Sequence, residues 1–344
     1  MKKTGVLFLC LGLFVCGCGK EDSGAYDRGL AAMEAGNYPE AVVEFQKAAE
    51  DDDRKAEAYR SEGIIYLDQG NYETAISCLN LSLTNMQYEN AAFSDDVNYY
   101  LAKAYVANGQ ISEAQQIYIE LQEGETPAQA YLESGILYLE QGNTAEAEEA
   151  FQSCLDEDPK LSYYIQIYDA YKDCNMEADG AAYLKEAVSL LDEGNTDEEY
   201  EGGELYYYLG DTDKAIEYLS KAADRDEEDA IALLGDIYLE KGDVDSARSV
   251  FQTSLDKGEY VAGACNGLAL CDIQAGEYEA AMQHIEQGLA AAGEDEQETL
   301  LFNQIVVLEK QLQFDAAQEK LSAFLEMYPD NAQAQREQTF LNGR

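Results

Sequence analysis

The chain has 344 residues, and 69 Asp and Glu against 22 Lys and Arg give it a net charge of −47. Affinity for nucleic-acid phosphates comes mainly from Lys and Arg, so this charge argues against nucleic acid as a partner. A hydrophobic fraction of 46% is too high for a disordered acidic tail. With 4 Pro, no Trp and frequent alanine, the composition predicts an all-α protein.

The first residues have the pattern of a secretory signal. Lys2 and Lys3 precede an apolar run from residue 5 to residue 15, which matches the charged start and the hydrophobic segment of such a signal. A helix of this length spans roughly 16 Å, whereas the hydrocarbon core of a bilayer is about 30 Å thick. The run is therefore too short to favour a membrane-spanning helix.

The run ends in Val15-Cys16-Gly17-Cys18, which resembles the lipobox of bacterial lipoproteins. There, a small residue directly precedes the cysteine that is lipidated. The resemblance implies that residues 1–17 are a signal peptide, that Cys18 carries the lipid, and that residues 18–24 hold this cysteine and a short tether. It also implies a lipid anchor in the cell membrane on the extracytoplasmic side, or in an outer-membrane leaflet of a Gram-negative host. An ordinary secretory signal or an uncleaved signal anchor is the alternative.

A helix-ending segment recurs nine times along the rest of the chain. Seven copies begin with glycine, which permits the left-handed backbone that ends many helices. We call the first residue of each copy the turn residue; the nine are Gly36, Gly70, Gly109, Gly142, Asn175, Gly210, Gly242, Gly276 and Leu312. Their successive spacings are 34, 39, 33, 33, 35, 32, 34 and 36 residues, so the period is near 34.

Fixed residue types stand at fixed distances from each turn residue. Five residues after it there is always a small residue, nine residues after it a large apolar one, and four residues before it tyrosine in six of the nine copies. Two antiparallel helices approach closely where one offers a small side chain, and a large residue fills the remaining space. Each period therefore predicts a hairpin of two helices, and neighbouring hairpins must stack to bury their apolar faces.

This period and these residues resemble the tetratricopeptide repeat. Five glycines stand where that family has a glycine in its first helix: Gly29, Gly63, Gly135, Gly203 and Gly235. Ala102, Tyr168, Ala269 and Ile305 depart from the pattern at the same place. The resemblance implies an all-α fold, a right-handed α-α superhelix of about nine hairpins over residues 25–331, with a capping helix over 332–344. The expected hairpins cover about residues 22–55, 56–89, 95–127, 128–160, 161–195, 196–227, 228–261, 262–295 and 298–331.

The sequence offers little for catalysis. The repeats leave 13 residues after residue 331, and His284 is the only histidine. A single histidine excludes a metal site of several imidazoles and most Ser-His or Cys-His pairs. We therefore expect no enzyme activity, no catalytic residue, no metal and no cofactor. Carboxylate catalysis in a groove is the alternative that the abundant acids leave open.

The cysteines and the acid clusters have structural explanations. Five cysteines remain after lipidation of Cys18 and form no C-x-x-C motif, so we expect small buried side chains, with Cys154 and Cys174 as the one pair to test for a disulfide. Acid clusters such as residues 50–53 and 224–229 fall near helix N-termini, where they offset the helix dipole. A surface for Ca²⁺ or for a basic partner is the alternative.

In the family that the repeats resemble, first helices line a concave groove that holds partner peptides. Carried over by position, the candidate groove residues are Tyr99, Lys103, Tyr200, Glu204, Tyr207 and Tyr208. Tyrosine suits binding because it joins a large apolar ring to a polar tip, although each of these rings could instead pack between hairpins. We expect a scaffold or adaptor that binds proteins or peptides. A receptor for a peptide or a cell-wall-derived ligand is the alternative.

Overall fold

The structure is a computed structural model that describes residues 24–88, 90–192, 194–258 and 260–342. The predicted signal peptide and Cys18 lie outside these residues. The described chain is all-α, without a strand, and a short 3₁₀ turn (Thr196–Glu198) precedes the eleventh helix. The helices are α1 (Ala25–Glu34), α2 (Tyr38–Glu50), α3 (Lys55–Asp68), α4 (Tyr72–Thr84), α5 (Ala91–Ala107), α6 (Ile111–Leu121), α7 (Pro127–Glu140), α8 (Thr144–Glu157), α9 (Leu161–Asp173), α10 (Glu177–Val188), α11 (Glu199–Tyr208), α12 (Thr212–Ala223), α13 (Glu228–Glu240), α14 (Val244–Lys257), α15 (Val261–Ala275), α16 (Tyr278–Leu289), α17 (Glu294–Lys310), α18 (Phe314–Met327) and α19 (Ala332–Asn342).

The helices belong to two compact units, one up to Glu177 and one from Ala178 onward. In the first unit the pairs α1/α2, α3/α4, α5/α6 and α7/α8 are hairpins, and α9 follows them. In the second unit the hairpins are α11/α12, α13/α14, α15/α16 and α17/α18, with α19 packed on the last. Each hairpin packs on the next one within its unit. The predicted all-α fold class is confirmed.

The turn inside each hairpin is built as the repeat predicts. All seven turn glycines have positive φ, and so do Asn175 at 58° and Leu312 at 61°. The residue after each turn residue donates its N–H to the carbonyl four residues before the turn residue, at 2.8–2.9 Å in all nine copies. This bond closes the first helix. Asn37, Asn71 and Asp211 then cap the second helices by accepting from backbone N–H groups.

The hairpin core rests on contacts between a small residue of the first helix and a large one of the second. The large residues nine positions after the turn residue are at most 2% exposed. Phe251 packs so closely on Gly235 that a Cβ there would lie 2.0 Å from its Cζ, and a Cβ at Gly135 would lie 2.4 Å from Phe151 Cε1. The small residues five positions after the turn residue are also buried. In the five copies that have this glycine, the large side chain of the second helix packs directly on it, a pairing that the sequence argument did not identify.

The spacing of 39 residues is taken up before and within α5. The chain leaves α4 at Thr84, and the segment through Asn90 leads to α5, which at 17 residues is longer than the first helices of the other hairpins in this unit. At the other end, Ala334 and Leu341 of α19 join the apolar cluster of Phe302, Leu321 and Phe324. In the part of the chain that is described, no helix is both long and apolar enough to cross a membrane.

Candidate functional site

The six candidate groove residues lie on two first helices, one in each unit. Tyr99 and Lys103 are on α5, and the remaining four are on α11. Tyr99 and Tyr200 stand ten residues before their turn residues, and Lys103 and Glu204 stand six before. We call the side of each unit that carries these positions its first-helix face.

In the first unit Tyr99 is the centre of a hydrogen-bonded group. Its hydroxyl donates to Glu133 Oε1 at 2.8 Å and accepts from Gln129 Nε2 at 3.3 Å, both on α7. Lys103 Nζ lies 3.3 Å from the same hydroxyl, 5.1 Å from the ring centroid and 3.8 Å from Glu133 Oε1. Burial, followed by the charge of Glu133, raises the pKa of Tyr99. The hydroxyl therefore stays protonated and keeps donating.

Two more groups of the same kind join the preceding first helices. Arg60 of α3 lies 5.2 Å from the ring centroid of Tyr100 and pairs with Asp96 of α5, with Nη2 at 2.8 Å from Oδ1. Arg54, which precedes α3, lies 4.1 Å from the ring centroid of Tyr26 and pairs with Asp27, both on α1.

The three groups share one composition. Each consists of a cation over a tyrosine ring with a carboxylate beside it, and together they connect α1, α3, α5 and α7. Each cation–ring contact contributes about 0.5–1 kcal/mol at such partly exposed sites.

In the second unit the first-helix face also carries tyrosines and acids, on the first helices α11 and α13. Tyr207 of α11 donates its hydroxyl to Glu240 Oε1 of α13 at 3.2 Å. Burial raises the pKa of Tyr207, and the charges of Glu240 and Asp236 raise it further. For Tyr200 the pKa is raised by burial and then by Glu204 and Asp229. Both tyrosines are thus neutral hydroxyls among carboxylates.

Tyr260 extends this group toward α15. Its ring lies over the first turn of α15, where a Cβ at Gly263 would be 1.9 Å from its Cζ. Burial and then Asp229 are the leading causes that raise the pKa of Tyr260 to about 12. We name this group the acid–tyrosine face; it consists of Tyr200, Tyr207, Asp229, Asp236, Glu240 and Tyr260.

Comparison with known proteins identifies the repeat. The family model described as Tetratricopeptide repeat matches residues 26–85, 99–162, 200–262 and 233–296, more than half of the chain. The chain belongs to the tetratricopeptide repeat family. No curated protein matches this tetratricopeptide repeat chain significantly in sequence.

The solved structure of Tom70 agrees with the family assignment at the level of the fold, and two further structures are similar over part of this chain. Yeast Tom70 matches with a TM-score of 0.51 at 14% identity over 92% of this chain and 80% of its own. MamA of Desulfovibrio magneticus matches with a TM-score of 0.40 at 17% identity over 48% of this chain and 92% of its own. Pseudomonas aeruginosa pilF matches with a TM-score of 0.40 at 20% identity over 62% of this chain and 96% of its own. At these identities the likeness to Tom70 shows the fold alone.

A buried charged group in this tetratricopeptide repeat protein surrounds the single histidine. Asp272 is fully buried, with Oδ2 at 2.7 Å from His284 Nδ1 and Oδ1 at 2.5 Å from Arg248 Nη1. Arg248 also contacts Glu277 at 3.3 Å. The group ties α14, α15 and α16 together. Sequence reasoning missed it, although a signal exists: Asp272 stands four residues before its turn residue, where six copies have tyrosine.

A second buried acid, Glu62 of α3, is poorly satisfied. Its side chain is 3% exposed, Gln46 Nε2 donates to Oε2 at a long 3.5 Å, and Oε1 has no partner among the described residues. Burial raises its pKa to about 7. Burial and the nearby Glu62 also raise the pKa of the Cys78 thiol to about 12. Neither group is stabilised in its charged form.

The remaining candidates for chemistry are not assembled into a site. Within the described residues no group of three or more His, Cys, Asp or Glu is placed to hold a metal ion. All five cysteines of this part are free, so Cys154 and Cys174 are not bridged. Burial raises the pKa of Cys154 to about 12, which keeps it a thiol without nucleophilic character at neutral pH.

Proposed function

We propose that this tetratricopeptide repeat protein is a scaffold that binds protein partners through the first-helix faces of its hairpins. The observation that carries the proposal is the side-by-side packing of successive first helices within each unit, such as α3 with α5 and α11 with α13. This packing gathers tyrosines and charged groups from several hairpins on one side. Tyrosine supplies contact area at low entropic cost, which is typical of protein-binding surfaces.

The proposed location is the extracytoplasmic side of the cell membrane, held by lipid on Cys18. Support comes from Lys2 and Lys3, the short apolar run, and Gly17 directly before the cysteine. A test is to express the chain in a bacterial host, compare it with C18A, and measure the mass of the N-terminal peptide. We expect Cys18 to be the first residue and to carry acyl chains. An N-terminus at any other residue, or an unmodified Cys18, contradicts the anchor.

A non-enzymatic role is part of the same proposal. The repeats occupy most of the printed sequence, and the only histidine is held by Asp272. A screen of the purified chain against hydrolase substrates tests this. If the chain turns over a substrate, and substitution of one carboxylate on a first-helix face abolishes that turnover, the enzymatic alternative is correct.

Site-specific crosslinking tests where partners bind. A photoreactive phenylalanine analogue replaces Lys103 or Tyr207 on the first-helix faces, and Glu148 or Glu286 as matched controls, which are exposed on second helices. We expect irradiated membranes to give protein adducts at the first two positions and far fewer at the controls. Equal yields at all four positions would contradict face-specific binding. If glycan fragments are captured and no protein is, the chain is a receptor for cell-wall ligands and the scaffold proposal is wrong.

A further inference from the structure

Equivalent positions of the repeat carry more negative charge in the second unit than in the first. At the offset of Lys103 the second unit has Glu204, at that of Gln129 it has Asp229, and at that of Glu133 it has Leu233. The tyrosine is kept, since Tyr200 stands at the offset of Tyr99. At these three offsets the first unit therefore carries one positive and one negative charge, whereas the second unit carries two negative charges.

The first helices of the acid–tyrosine face contain no positive side chain to balance its carboxylates. Together α11 and α13 contain seven acids and neither Lys nor Arg. The nearby cations of the unit contact other residues: Lys214 lies 4.5 Å from the ring centroid of Tyr206, Lys221 pairs with Glu217 at 2.9 Å, and Lys241 lies 3.7 Å from Asp213. Arg225, which precedes α13, pairs with Glu199 of α11, outside the acid–tyrosine face. Across the described residues, no ion pair reaches Asp229, Asp236 or Glu240.

Asp236 and Glu240 are four residues apart on α13, so they lie one turn apart on the same side of the helix, where like charges repel. The pKa of Asp236 is raised first by loss of water on one side and then by the charge of Glu240. Asp236 is nevertheless exposed, so a ligand can reach it from solvent. A cation placed there would relieve the repulsion and stack on the neighbouring tyrosine rings.

We propose that the acid–tyrosine face binds a Lys- or Arg-rich segment of a partner protein, whose cations take the place that Arg60 and Lys103 take in the first unit. This inference rests on the proposed scaffold function and adds the chemical class of the partner. A second copy of the chain does not fit, because its net charge of −47 would repel the face.

The positions of the tyrosines predict a spacing for the cations. Tyr200 and Tyr207 are seven residues apart on one helix, which is about 10 Å along its axis. A peptide in the polyproline II conformation covers that distance in about three residues, and its three residues per turn place side chains three apart on the same side. We therefore expect two basic residues separated by two others to fit the face best.

Peptide binding to the full chain tests the inference. The probe is a fluorescein-labelled Gly/Ser peptide of twelve residues with Arg at positions 5 and 8, and its control carries neutral citrulline at both. We expect fluorescence anisotropy at physiological salt to show roughly tenfold tighter binding of the arginine peptide. Equal binding of the two peptides overturns the proposal.

Three variants locate the binding on the chain. D236N/E240Q removes two charges from the face, and E286Q/E319Q removes two from exposed residues of α16 and α18 as the matched control. E204K places a cation at the offset of Lys103. We expect the first and third variants to lose about tenfold in affinity for the arginine peptide, while the control stays near the unaltered chain. An equal loss in the control would mean attraction to overall charge and would overturn the proposal.

The crosslinking experiment separates this inference from the scaffold function. Protein adducts at Tyr207 that persist unchanged in D236N/E240Q leave the scaffold intact and overturn the cationic partner. The absence of any protein adduct at either face removes the scaffold function itself. Circular dichroism of each variant, with melting close to that of the unaltered chain, shows that a loss of binding is not a loss of fold.

Discussion

The two units share one way of building a hairpin and differ in how they treat charge on the first-helix face. In both, a glycine of the first helix receives a large side chain of the second, as in Gly135 with Phe151 and Gly235 with Phe251. On the face, the first unit pairs its acids with Arg60 and Lys103 of its first helices, whereas α11 and α13 contain no Lys or Arg. Arg54 before α3 and Arg225 before α13 each pair with an acid of the preceding first helix.

This difference separates two kinds of repeat position. Close packing restricts the residue type at positions that face the partner helix, because a side chain of the wrong size there lowers stability. Positions on the face see water and neighbouring first helices, so a reversal of charge such as Lys103 to Glu204 leaves the hairpin intact. One fold can therefore carry a self-neutralised face and an open acidic face.

The largest expected effect on stability comes from substitutions in the glycine–phenylalanine contact that both units share. G235A and G135A each force a Cβ against a phenylalanine ring, at 2.0 Å and 2.4 Å, and we expect each to cost about 3 kcal/mol. G194A is the matched control, because the nearest atom to its Cβ is 3.7 Å away. Thermal unfolding followed by circular dichroism measures the difference. A melting temperature for G235A equal to that of G194A would show that the hairpin core is assigned wrongly.

Next in size is the buried acid of the first unit. The pKa of Glu62 rises from an ordinary 4.5 to about 7, so its contribution to stability is fully present below the ordinary pKa and is lost as pH rises through 7. E62Q should stabilise the chain by up to about 3 kcal/mol at pH 8.5 but by only about 1 kcal/mol at pH 5.5, one pH unit above the ordinary pKa. Thermal melts at both values test this, with E148Q, an exposed position, as control. If the difference in melting temperature between E62Q and the unaltered chain is the same at both pH values, the pKa of Glu62 is not raised.

The buried acid of the second unit should respond in the opposite direction. Asp272 satisfies both oxygens, through Arg248 and His284. D272N weakens these charge-assisted bonds, and we expect it to cost about 2 kcal/mol at pH 7. Urea unfolding gives the value. If D272N instead stabilises the chain, the free energy lost by burying this charge exceeds the free energy gained from its bonds to Arg248 and His284.

The smallest effects sharpen the contrast between the faces. R60M removes a partly buried cation from its pair with Asp96 and should destabilise by about 1 kcal/mol. D236N removes one of two neighbouring like charges, so it should stabilise by about 0.3 kcal/mol, and 0.5 M NaCl should abolish that gain. Changes of the same sign in the two variants would show that the faces do not differ in charge balance.

The sequence predicts the repeat phase well because packing imposes it at regular intervals. Spacing alone predicts Asn175 and Leu312 as turn residues, and both have the positive φ of the glycine copies. The groups on the faces were harder to foresee. Tyr99 and Lys103 were identified as candidates, but their partner Glu133 is 34 residues from Tyr99 on another hairpin, and side-chain direction there is not encoded by period. Arg248, Asp272 and His284 meet across three helices for the same reason.

The backbone of the last turn has a consequence for how such arrays change over time. Leu312 adopts φ of 61° although it is a leucine, and its side chain is 72% exposed. The packed helices on either side hold it there, at a strain of about 1–2 kcal/mol. A glycine at one of these corners can thus be replaced by mutation without loss of the architecture. The turn position therefore constrains the amino-acid type less strictly than the close-packed glycine positions inside the hairpins do.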